Sequence, residues 1–441
     1  MSYLSYAARK APRYASYPTV EHFDHRVTPS RVRDWLAALD EDNPLSLYVH
    51  VPYCFEICSF CECNTYATHR LETLEAYVNT LAREIPLVAA STRVERVEAL
   101  SWGGGTPNIL PDKAFRRLFK HLGFWFDLDR LRDHTIEIDP RILTKEQADT
   151  YAAFGVTRAS LGVQDFNAHV SRAIGRHQTY DMVAAAVDLL RAAGVPRINI
   201  DLMYGLPTQT TDDVRRSIEL TLQLAPDQMA IFGYAHAPWL KARQRLIDDS
   251  ALPDLETRKL QYETARKQIE AASYESVGLD HFARPEDRLA RASRSGGLQR
   301  NFRGYVAEER RPLIGLGASA ISAFPRGYAQ NALDVSTWRK AIDAGSLAIV
   351  RGHAFSGDDV ERGRIIESLL CNFAVDLRDF GGVEDYQKEL AALAPLLRNG
   401  LVEREGANLR VPDSARAFAR LVAETFDAYR HITATHHATI I

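Results

Sequence analysis

The sequence predicts an α/β fold, an open and partial (β/α)6 barrel of the TIM type. Apolar runs rich in β-branched and aromatic residues alternate six times with segments of helical periodicity. Gly155 and Gly194 directly follow two of the helical segments, where a left-handed cap is expected. Polar or glycine-rich residues follow the predicted strands, and in a barrel these strand ends surround one mouth. Six units are fewer than the eight of a closed barrel, so one side is expected to stay open for a bulky substrate.

The elements are placed in order along the chain by their residue patterns. Strands are predicted at 47–51, 97–102, 135–138, 158–161, 197–203 and 229–232. Helices are predicted at 71–89, 112–126, 145–154, 180–193 and 212–224, with a further amphipathic helix at 255–273. Right-handed crossovers would arrange these units as a doubly wound parallel sheet or as a barrel, and the polar residues at the strand ends favour the barrel.

Three parts are predicted along the chain. Residues 1–40, rich in aromatic residues, proline and charge, are expected to form an arm packed on the main domain. Residues 41–355 are expected to form the catalytic domain, and residues 356–441 a small, mainly helical domain. The last part includes a hairpin turning at 406–408, which suggests a winged-helix-like module. Its charge is unremarkable, so we expect a lid or packing domain rather than a DNA contact.

Composition excludes several classes of protein. The 441 residues are 46% hydrophobic and 25% charged, which is typical of a globular protein and excludes disorder and coiled coil. A formal net charge of -3 argues against a nucleic-acid partner. No apolar run approaches the ~20 residues of a membrane span, and no secretory signal is recognised, so a cytoplasmic protein is expected. Five cysteines in 441 residues are too few, and odd in number, for a disulfide framework. Separately, we expect the protein to be a monomer.

Four of the five cysteines lie within ten consecutive positions. Residues 54–63 contain C-x3-C-x2-C-x-C directly after the first predicted strand. Thiolates on such a short loop can point at a common centre, as iron–sulfur clusters and zinc both require. Zinc ribbons take two ligands from a second, distant turn, and no such pair follows here. Three thiolates from one loop fit a cubane cluster that leaves one iron open. Cys371 stands alone and is expected to be a buried small hydrophobic residue.

The cysteine motif and its surroundings resemble the signature of the radical S-adenosylmethionine (radical SAM) superfamily, and within it the oxygen-independent coproporphyrinogen III oxidase family. The similarity extends over nearly the full chain. It is carried by residues 13–14, 16–19, 48–64, 103–107, 137–141, 162–166, 201–207, 234–236, 280–282, 300–302 and 317–321.

The resemblance implies a [4Fe–4S] cluster and SAM as cofactors. In such enzymes three cysteines, here Cys54, Cys58 and Cys61, hold the cluster, and its open iron binds SAM. Positions that match the family's other cofactor contacts are Tyr48, Phe60, Cys63, Gly104, Gly105, Thr106, Glu137, Gln164, Arg176, Asp201, Ala235 and Ile321. Glycines at 104 and 105 would let the backbone approach the methionine part of SAM closely. Ala235 and Ile321 would line the adenine pocket.

Structural interpretations of these residues stay open at the level of sequence. Tyr48 and Phe60, like Ala235 and Ile321, could be core residues. Three glycines after a strand are also a common tight turn, and Cys63 could be a fourth ligand or an inert thiol. For the two charged positions the alternative to a ligand contact is an internal ion pair between Asp201 and Arg176.

The reaction that the resemblance implies is an oxidative decarboxylation in heme biosynthesis. The propionates on rings A and B of coproporphyrinogen III would become vinyl groups, giving protoporphyrinogen IX, with an external electron donor. No protein side chain is assigned as catalytic, because the cofactors carry the radical chemistry. A tetracarboxylic macrocycle needs cationic partners, for which Arg300 and Arg303 are the candidates, with His50 and His281 as further ones. Each of these could instead be a surface or packing residue.

Three alternatives remain. The chain could be another radical SAM enzyme that methylates or opens a porphyrin-like substrate, or a heme-binding relative of the chaperone type. A zinc-stabilised structural protein is the third. One segment departs from the family: relatives carry Gln and a Thr-Thr pair around the glycine–tyrosine, where residues 303–311 read Arg-Gly-Tyr-Val-Ala-Glu-Glu-Arg-Arg. This segment follows the predicted barrel strands, where it could contact the substrate or a second SAM. The departure therefore concerns the substrate and not the cluster.

Overall fold

The structure is a computed structural model that describes residues 3–307 and 310–430 of the chain. Its strands are β1 (Leu45–Val51), β2 (Tyr53–Cys54), β3 (Tyr66–Ala67), β4 (Val97–Gly104), β5 (Asp133–Ile138), β6 (Arg158–Gln164), β7 (Ile198–Tyr204), β8 (Gln228–Gly233), β9 (Glu275–Val277), β10 (His281–Ala283), β11 (Gln299–Asn301), β12 (Gly304–Val306), β13 (Leu313–Leu316), β14 (Ile321–Phe324), β15 (Gly327–Asn331), β16 (Ile349–Ala354), β17 (Ala374–Asp376), β18 (Glu403–Glu405) and β19 (Asn408–Arg410).

Helices lie between these strands and at both ends of the described chain. They are α1 (Tyr3–Ala7), α2 (Pro29–Ala37), α3 (Leu71–Ala89), α4 (Asp112–Trp125), α5 (Lys145–Ala153), α6 (Ala168–Ala173), α7 (Tyr180–Ala193), α8 (Thr211–Gln223), α9 (Leu255–Ala271), α10 (Arg288–Ser295), α11 (Val335–Asp343), α12 (Asp359–Cys371), α13 (Gln387–Ala392), α14 (Ala394–Arg398) and α15 (Ala419–Glu424).

The six predicted strands are β1, β4, β5, β6, β7 and β8, and they lie side by side in this order, parallel throughout. The predicted βα alternation is therefore confirmed. The full sheet has twelve strands in the order β16-β15-β14-β13-β1-β4-β5-β6-β7-β8-β10-β9. Strands β9 and β16 are its two edges in the described chain, so the sheet is open.

Six strands of this sheet are absent from the prediction. β13 extends the parallel set beyond β1, while β14, β15 and β16 continue it antiparallel. β10 and β9 extend the opposite side antiparallel to β8. These strands have three to six residues. Such runs are too short to show a clear period in sequence.

Local signals in the sequence explain where the helices begin and end. Thr144 is the N-cap of α5, and its side chain accepts from the backbone N–H of Gln147 in a capping box. Thr179 is the N-cap of α7 and accepts from the N–H of Met182, while Gly194, whose φ of 96° is left-handed, is the C-cap of α7. The predicted glycine cap is thereby confirmed.

The core lies between the sheet and the helices that cover it. Trp102 of β4 packs on Phe115 of α4 with ring centroids 4.7 Å apart, and Phe115 meets Tyr151 of α5 at 4.9 Å. Burial of these large rings is what fixes the helices on the outer face of the parallel strands. In the described ranges no helix combines the length and apolar character that crossing a bilayer requires.

The C-terminal part contains the predicted hairpin, formed by β18 and β19. Glu405 pairs with Asn408, so the turn is Gly406–Ala407 and Asn408 already belongs to the strand. β17 adds a third strand on the far side of β19. The arm contacts this part: the Tyr14 hydroxyl donates to Asp427 at 2.9 Å. The domain limits at 40 and 355 stay a prediction.

Candidate functional site

The carboxyl ends of the parallel strands and the cysteine loop, residues 52–65, surround one cavity of about 430 Å³, here called the main cavity. Its position is the one at which barrel-type sheets place their ligands. It brings together most of the residues singled out in the sequence: Tyr48, Cys54, Cys58, Phe60, Cys61, Cys63, Gly104, Gly105, Thr106, Glu137, Gln164, Arg176, Asp201, His281, Arg300 and Arg303.

Three predicted residues are not among the described lining of the main cavity. The carbonyl of Ala235 accepts from Gln244 Nε2, which also donates to the carbonyl of Phe60, so Ala235 lies behind the cysteine loop. Ile321 lies across Gly315, which pairs with Tyr48: a Cβ at Gly315 would come within 2.6 Å of the Ile321 carbonyl oxygen. Ala235 and Ile321 therefore lie behind residues that line the main cavity, and neither is part of its described lining.

His50 is the third of these residues. It is buried beneath the glycines of β4, and its ring nitrogens lie 3.1 Å from the Tyr48 hydroxyl and 3.2 Å from the Asn64 carbonyl oxygen. Burial lowers the pKa of His50 to about 4. A neutral, internally bonded imidazole cannot serve as a cationic substrate partner, so its position favours a role in supporting the loop.

The cysteine loop is held by hydroxyl and guanidinium groups that reach its sulfurs. Thr106 donates to Cys54 Sγ at 3.1 Å, and the Thr65 hydroxyl lies 3.4 Å from the same sulfur. Arg176 Nη1 donates to Cys58 Sγ at 3.6 Å. Burial raises the pKa of the Cys54 thiol, and the hydrogen bonds with Thr106 and Thr65 act in the opposite direction, towards the thiolate that binds metal.

The positions of the cysteines distinguish between a single zinc ion and an iron–sulfur cluster. Within the described ranges, no three or more His, Cys, Asp or Glu side chains converge as the ligands of a single ion. A cubane cluster does not need such convergence, because each thiolate binds a different iron. Cys54, Cys58 and Cys61 line the same cavity and are free thiols, while Cys63 is exposed beside them. The donor set fits a cluster better than a zinc ion.

The glycines after β4 are required by close contacts. Gly104 has a φ of +115°, and a Cβ there would lie 2.6 Å from the His50 ring. A Cβ on Gly105 would lie 2.7 Å from the backbone oxygen of Tyr53 at the start of the loop. The glycines thus allow β4 to pass directly beneath the cysteine loop.

Glu137 and Asp201 are two of the four carboxylate residues in the described lining of the main cavity. Glu137 accepts from the N–H of Gly104 at 3.1 Å, and loss of hydration in the cavity raises the pKa of Glu137 to about 7. Asp201 accepts from Ser160 at 2.9 Å and Asn199 at 2.8 Å, and burial raises its pKa. Neither has a cationic partner within hydrogen-bond distance among the described residues. Both are suited to amine or hydroxyl groups of a ligand.

The internal ion pair considered for Asp201 is not formed. Arg176 instead lies 3.5 Å from Asp139, donates to the carbonyl of Gly162 and reaches Cys58. Ser160 and Asn199, which hold Asp201, are site residues that the sequence analysis missed. Asn199 and Asp201 lie two apart on β7, so period-two alternation places them on one face and could have indicated the pair.

Arg300 and Arg303 also line the main cavity. Arg303 Nη1 donates to Ser101 at 3.0 Å. Arg300 stacks on Tyr305 at 4.7 Å, and its Nε and Nη1 atoms have no hydrogen-bond partner among the described residues. Both also line a neighbouring cavity of about 340 Å³. The departing segment continues to Arg311, and its Glu308 and Glu309 lie outside the described residues.

His281 also lines the main cavity, but it is held by its neighbour on the chain. Its Nδ1 lies 2.7 Å from a carboxylate oxygen of Asp280. Although burial raises the pKa of Asp280, the hydrogen bond from His281 and the charges of His281 and Arg300 bring it to about 2. This hydrogen-bonded contact with Asp280, rather than a substrate contact, accounts for the position of the ring.

Comparison with known proteins agrees with this site. The family model of the radical SAM superfamily matches residues 48–221, which contain the cysteine loop and both carboxylates. The oxygen-independent coproporphyrinogen III oxidase of Paracoccus denitrificans is 39% identical over 438 residues, covering 98% of this chain and 97% of that protein. The protein of the same name from Escherichia coli is 36% identical over 424 residues, covering 95% and 93%.

A solved structure shows the same architecture over nearly the full length. The radical SAM enzyme coproporphyrinogen III oxidase from Escherichia coli matches with a TM-score of 0.90 and 36% identity, covering 95% of this chain and 97% of that one. Membership of the superfamily implies a [4Fe–4S] cluster and SAM as cofactors. The chain belongs to the oxygen-independent coproporphyrinogen III oxidase family of the radical SAM superfamily.

Proposed function

We propose that this chain converts coproporphyrinogen III to protoporphyrinogen IX by oxidative decarboxylation of two propionates, those of rings A and B. The full-length similarity to enzymes of that name supports the substrate. The single observation that carries the proposal is the main cavity, which is lined both by three cysteines of one loop and by Arg300 and Arg303. A metal-cluster face and an anion-binding face are what a radical reaction on a carboxylate-bearing substrate requires.

The reaction balances as follows for each propionate. A hydrogen atom leaves the β-carbon, the bond to the carboxylate breaks to release CO2, and one electron passes to an acceptor, which leaves a vinyl group. When bound, the [4Fe–4S] cluster and SAM supply the radical that removes the hydrogen atom. The protein holds the reactants in place and keeps water from them.

Residues of the chain divide between these tasks. Cys54, Cys58 and Cys61 would hold the cluster. Glu137 and Asp201, which have no cationic partner within hydrogen-bond distance among the described residues, would receive the amine and hydroxyl groups of SAM. Further contacts proposed for SAM are Tyr48, Phe60, Cys63, Thr106, Gln164 and Arg176, with Ala235 and Ile321 at the rim.

Arg300 and Arg303 would bind substrate carboxylates. Guanidinium groups pair with carboxylates in bidentate geometry, and the Nε and Nη1 atoms of Arg300 are buried without a partner among the described residues. An external one-electron donor would supply the electron that the cluster chemistry requires. The enzyme would act as a monomer in the cytoplasm, where thiols stay reduced.

An anaerobic assay tests the proposal. The enzyme is reconstituted with iron and sulfide and incubated with coproporphyrinogen III, SAM and a reductant. Two CO2 and one protoporphyrinogen IX per substrate are expected, together with 5'-deoxyadenosine. A methylated or ring-opened product, or heme binding without deoxyadenosine, would replace this function with one of the alternatives.

A matched pair of cysteine variants controls the assay. Cys54→Ser removes a proposed cluster ligand and should abolish both the cluster absorbance and the product. Cys371→Ala removes a thiol that is buried in α12 and is not among the described lining of the main cavity, and it should retain both. Equal loss in the two variants would contradict the assignment of the cluster to the cysteine loop.

A further inference from the structure

A surface segment after β8, residues 237–247, is bonded to the cysteine loop through three of its side chains. Lys241 Nζ, Arg243 Nη1 and Gln244 Nε2 each donate a hydrogen bond to a backbone carbonyl of the loop. The accepting carbonyls belong to Glu62, Ile57 and Phe60 respectively. No residue of this segment belongs to the described lining of the main cavity. The 237–247 segment therefore contacts the cysteine loop without forming part of the cavity.

The segment is held in one position by its buried glutamine. Gln244 is fully buried, and its Oε1 accepts from the N–H of Ala237 at 2.6 Å. Its Nε2 donates to the carbonyl of Ala235 at 3.1 Å, in addition to the bond to the cysteine loop. Both ends of the amide are thus bonded, so the exposed side chains of the segment start from a fixed backbone. A surface that is already ordered loses less entropy when a partner binds.

Large apolar side chains of the segment are exposed to solvent. The exposed fractions are 51% for Trp239, 53% for Leu240 and 75% for Leu246. Lys10 of the arm lies over the Trp239 ring, with its Nζ 5.3 Å from the ring centroid. Exposed apolar side chains that lie close together commonly mark a binding surface, and aromatic residues are enriched in such surfaces.

The segment is also positively charged, although the whole chain has a formal net charge of -3. It contains no acidic residue, and its cations are Lys241, Arg243 and Arg245. Their hydrogen bonds go to backbone carbonyls, and within the described part of the chain none of the three lies within ion-pair distance of a carboxylate. Of the two aspartates that follow the segment, Asp248 accepts from Ser250 and Asp249 lies 2.8 Å from His236 Nε2. The exposed apolar side chains are therefore accompanied by positive charge.

The position of the segment suits the delivery of electrons. The proposed reaction needs an external one-electron donor, and a protein donor cannot enter a cavity of about 430 Å³. Electron transfer slows steeply with distance, so a protein donor has to bind at the surface close to the cluster. The carbonyls that the segment contacts belong to residues next to Cys58 and Cys61, two of the proposed cluster ligands.

We propose that the 237–247 segment, together with the adjoining cysteine loop, is the docking surface for a small acidic protein that carries one electron. Carboxylates of the carrier would face the three cations, and the exposed Trp239, Leu240 and Leu246 would form the apolar contact. Opposite charges speed the encounter of such partners, and electron-transfer complexes are stable enough with a small interface. The carrier is oxidised by one electron and the cluster is reduced by one, with no bond made or broken. This inference rests on the proposed function, which requires an external donor.

Binding measurements without turnover test the docking surface. The anaerobic holoenzyme is titrated in a calorimeter with oxidised plant-type ferredoxin, an acidic [2Fe–2S] protein, at low and at physiological ionic strength. Arg245→Glu should weaken binding about tenfold at low ionic strength and by less at the higher one, because salt screens exposed charges. Trp239→Ala should weaken binding at both. The matched controls are Arg398→Glu on α14 and Phe124→Ala on α4, two exposed changes that should bind as the wild type does.

A rate measurement tests whether the bound carrier delivers its electron. Reduced ferredoxin is mixed with the holoenzyme and SAM, and its reoxidation is followed by stopped-flow absorbance. At ferredoxin concentrations below saturation, Arg245→Glu and Trp239→Ala should each slow reoxidation about tenfold. Iron content and circular dichroism verify that both variants retain the cluster and the fold. If reduction of the cluster by dithionite, a small ion that needs no docking surface, is slowed as much, the substitutions have damaged the cluster loop and the assignment is overturned.

Other outcomes separate this inference from the proposed function. Failure of the wild type to bind ferredoxin refutes the docking surface, as does an equal affinity in the wild type, Arg245→Glu and Trp239→Ala. If sedimentation shows a dimer that Trp239→Ala converts to a monomer, the segment joins two copies of this chain and the proposal is also refuted. If the ferredoxin effects hold but coproporphyrinogen III is not decarboxylated, the docking surface stands and the proposed reaction fails.

Discussion

Acidification tests the state of one buried histidine behind the site. His134 on β5 is fully buried, Trp102 Nε1 donates to its Nε2 at 3.0 Å, and its Nδ1 lies 3.1 Å from the Phe154 carbonyl oxygen. An indole nitrogen only donates, so Nε2 accepts and the neutral ring carries its proton on Nδ1. Burial lowers the pKa of His134 to about 4. Protonation of Nε2 would break the bond to Trp102 and loosen β5 from β4.

The size of the effect follows from the two pKa values. In the unfolded chain the pKa of a histidine is about 6.5, so the unfolded state binds a proton first as the pH falls. The contribution of the neutral ring is complete above about pH 6.5 and is lost as the pH falls towards 4. Between pH 7 and pH 5 this single group should cost about 2 kcal/mol of the free energy of unfolding.

Urea unfolding followed by tryptophan fluorescence measures this cost at both pH values, under anaerobic conditions. In His134→Gln the side chain keeps one acceptor for Trp102 and one donor for Phe154 but cannot take a proton. The wild type should therefore lose about 2 kcal/mol more than this variant between pH 7 and pH 5. His177→Gln, an exposed change, should behave as the wild type. Equal losses in wild type and His134→Gln would refute the reasoning.

Three further predictions concern the site. Gly105→Ala should lower the iron content after reconstitution, because its Cβ would lie 2.7 Å from the Tyr53 backbone oxygen and displace the cysteine loop. Gly123→Ala is the control, since its Cβ would lie 3.7 Å from the nearest atom, in the Leu128 side chain. Glu137→Gln should weaken SAM binding to the unreduced holoenzyme about tenfold in calorimetry, and an unchanged affinity would remove Glu137 from the SAM contacts. Asp201→Asn should likewise weaken SAM binding while iron content stays at the wild-type value, so a loss of iron instead would make Asp201 a support of the fold.

Much of the fold could be read from local patterns. The βα alternation, the glycine cap at Gly194 and the loop of Cys54, Cys58 and Cys61 are each carried by residues close together in the chain. A period or a ligand spacing is fixed by a few neighbouring residues, so it is visible without tertiary structure. The short strands β14, β15 and β16 were not predicted, because their pairing partners decide that they are strands.

The site residues show the same division. The sequence was compatible with an ion pair between Asp201 and Arg176. In the structure Asp201 accepts hydrogen bonds from Ser160 and Asn199, while Arg176 pairs with Asp139. His50 was considered for substrate, yet its burial beneath Gly104 makes it a neutral support. Which polar groups lie together depends on the register of the strands and on the lengths of the helical connections between them. No single segment of the sequence determines these.

The sequence by itself determined the order of the βα units and the three thiols that one loop can supply, because spacing along the chain sets both. Only the tertiary structure decided which charged side chains lie close together. Arg13, Arg258, Arg300 and Arg420 come from four distant segments and meet around one small cavity. Their proximity results from the packing of the arm and the C-terminal part against the sheet, and such packing is a property of the whole folded chain.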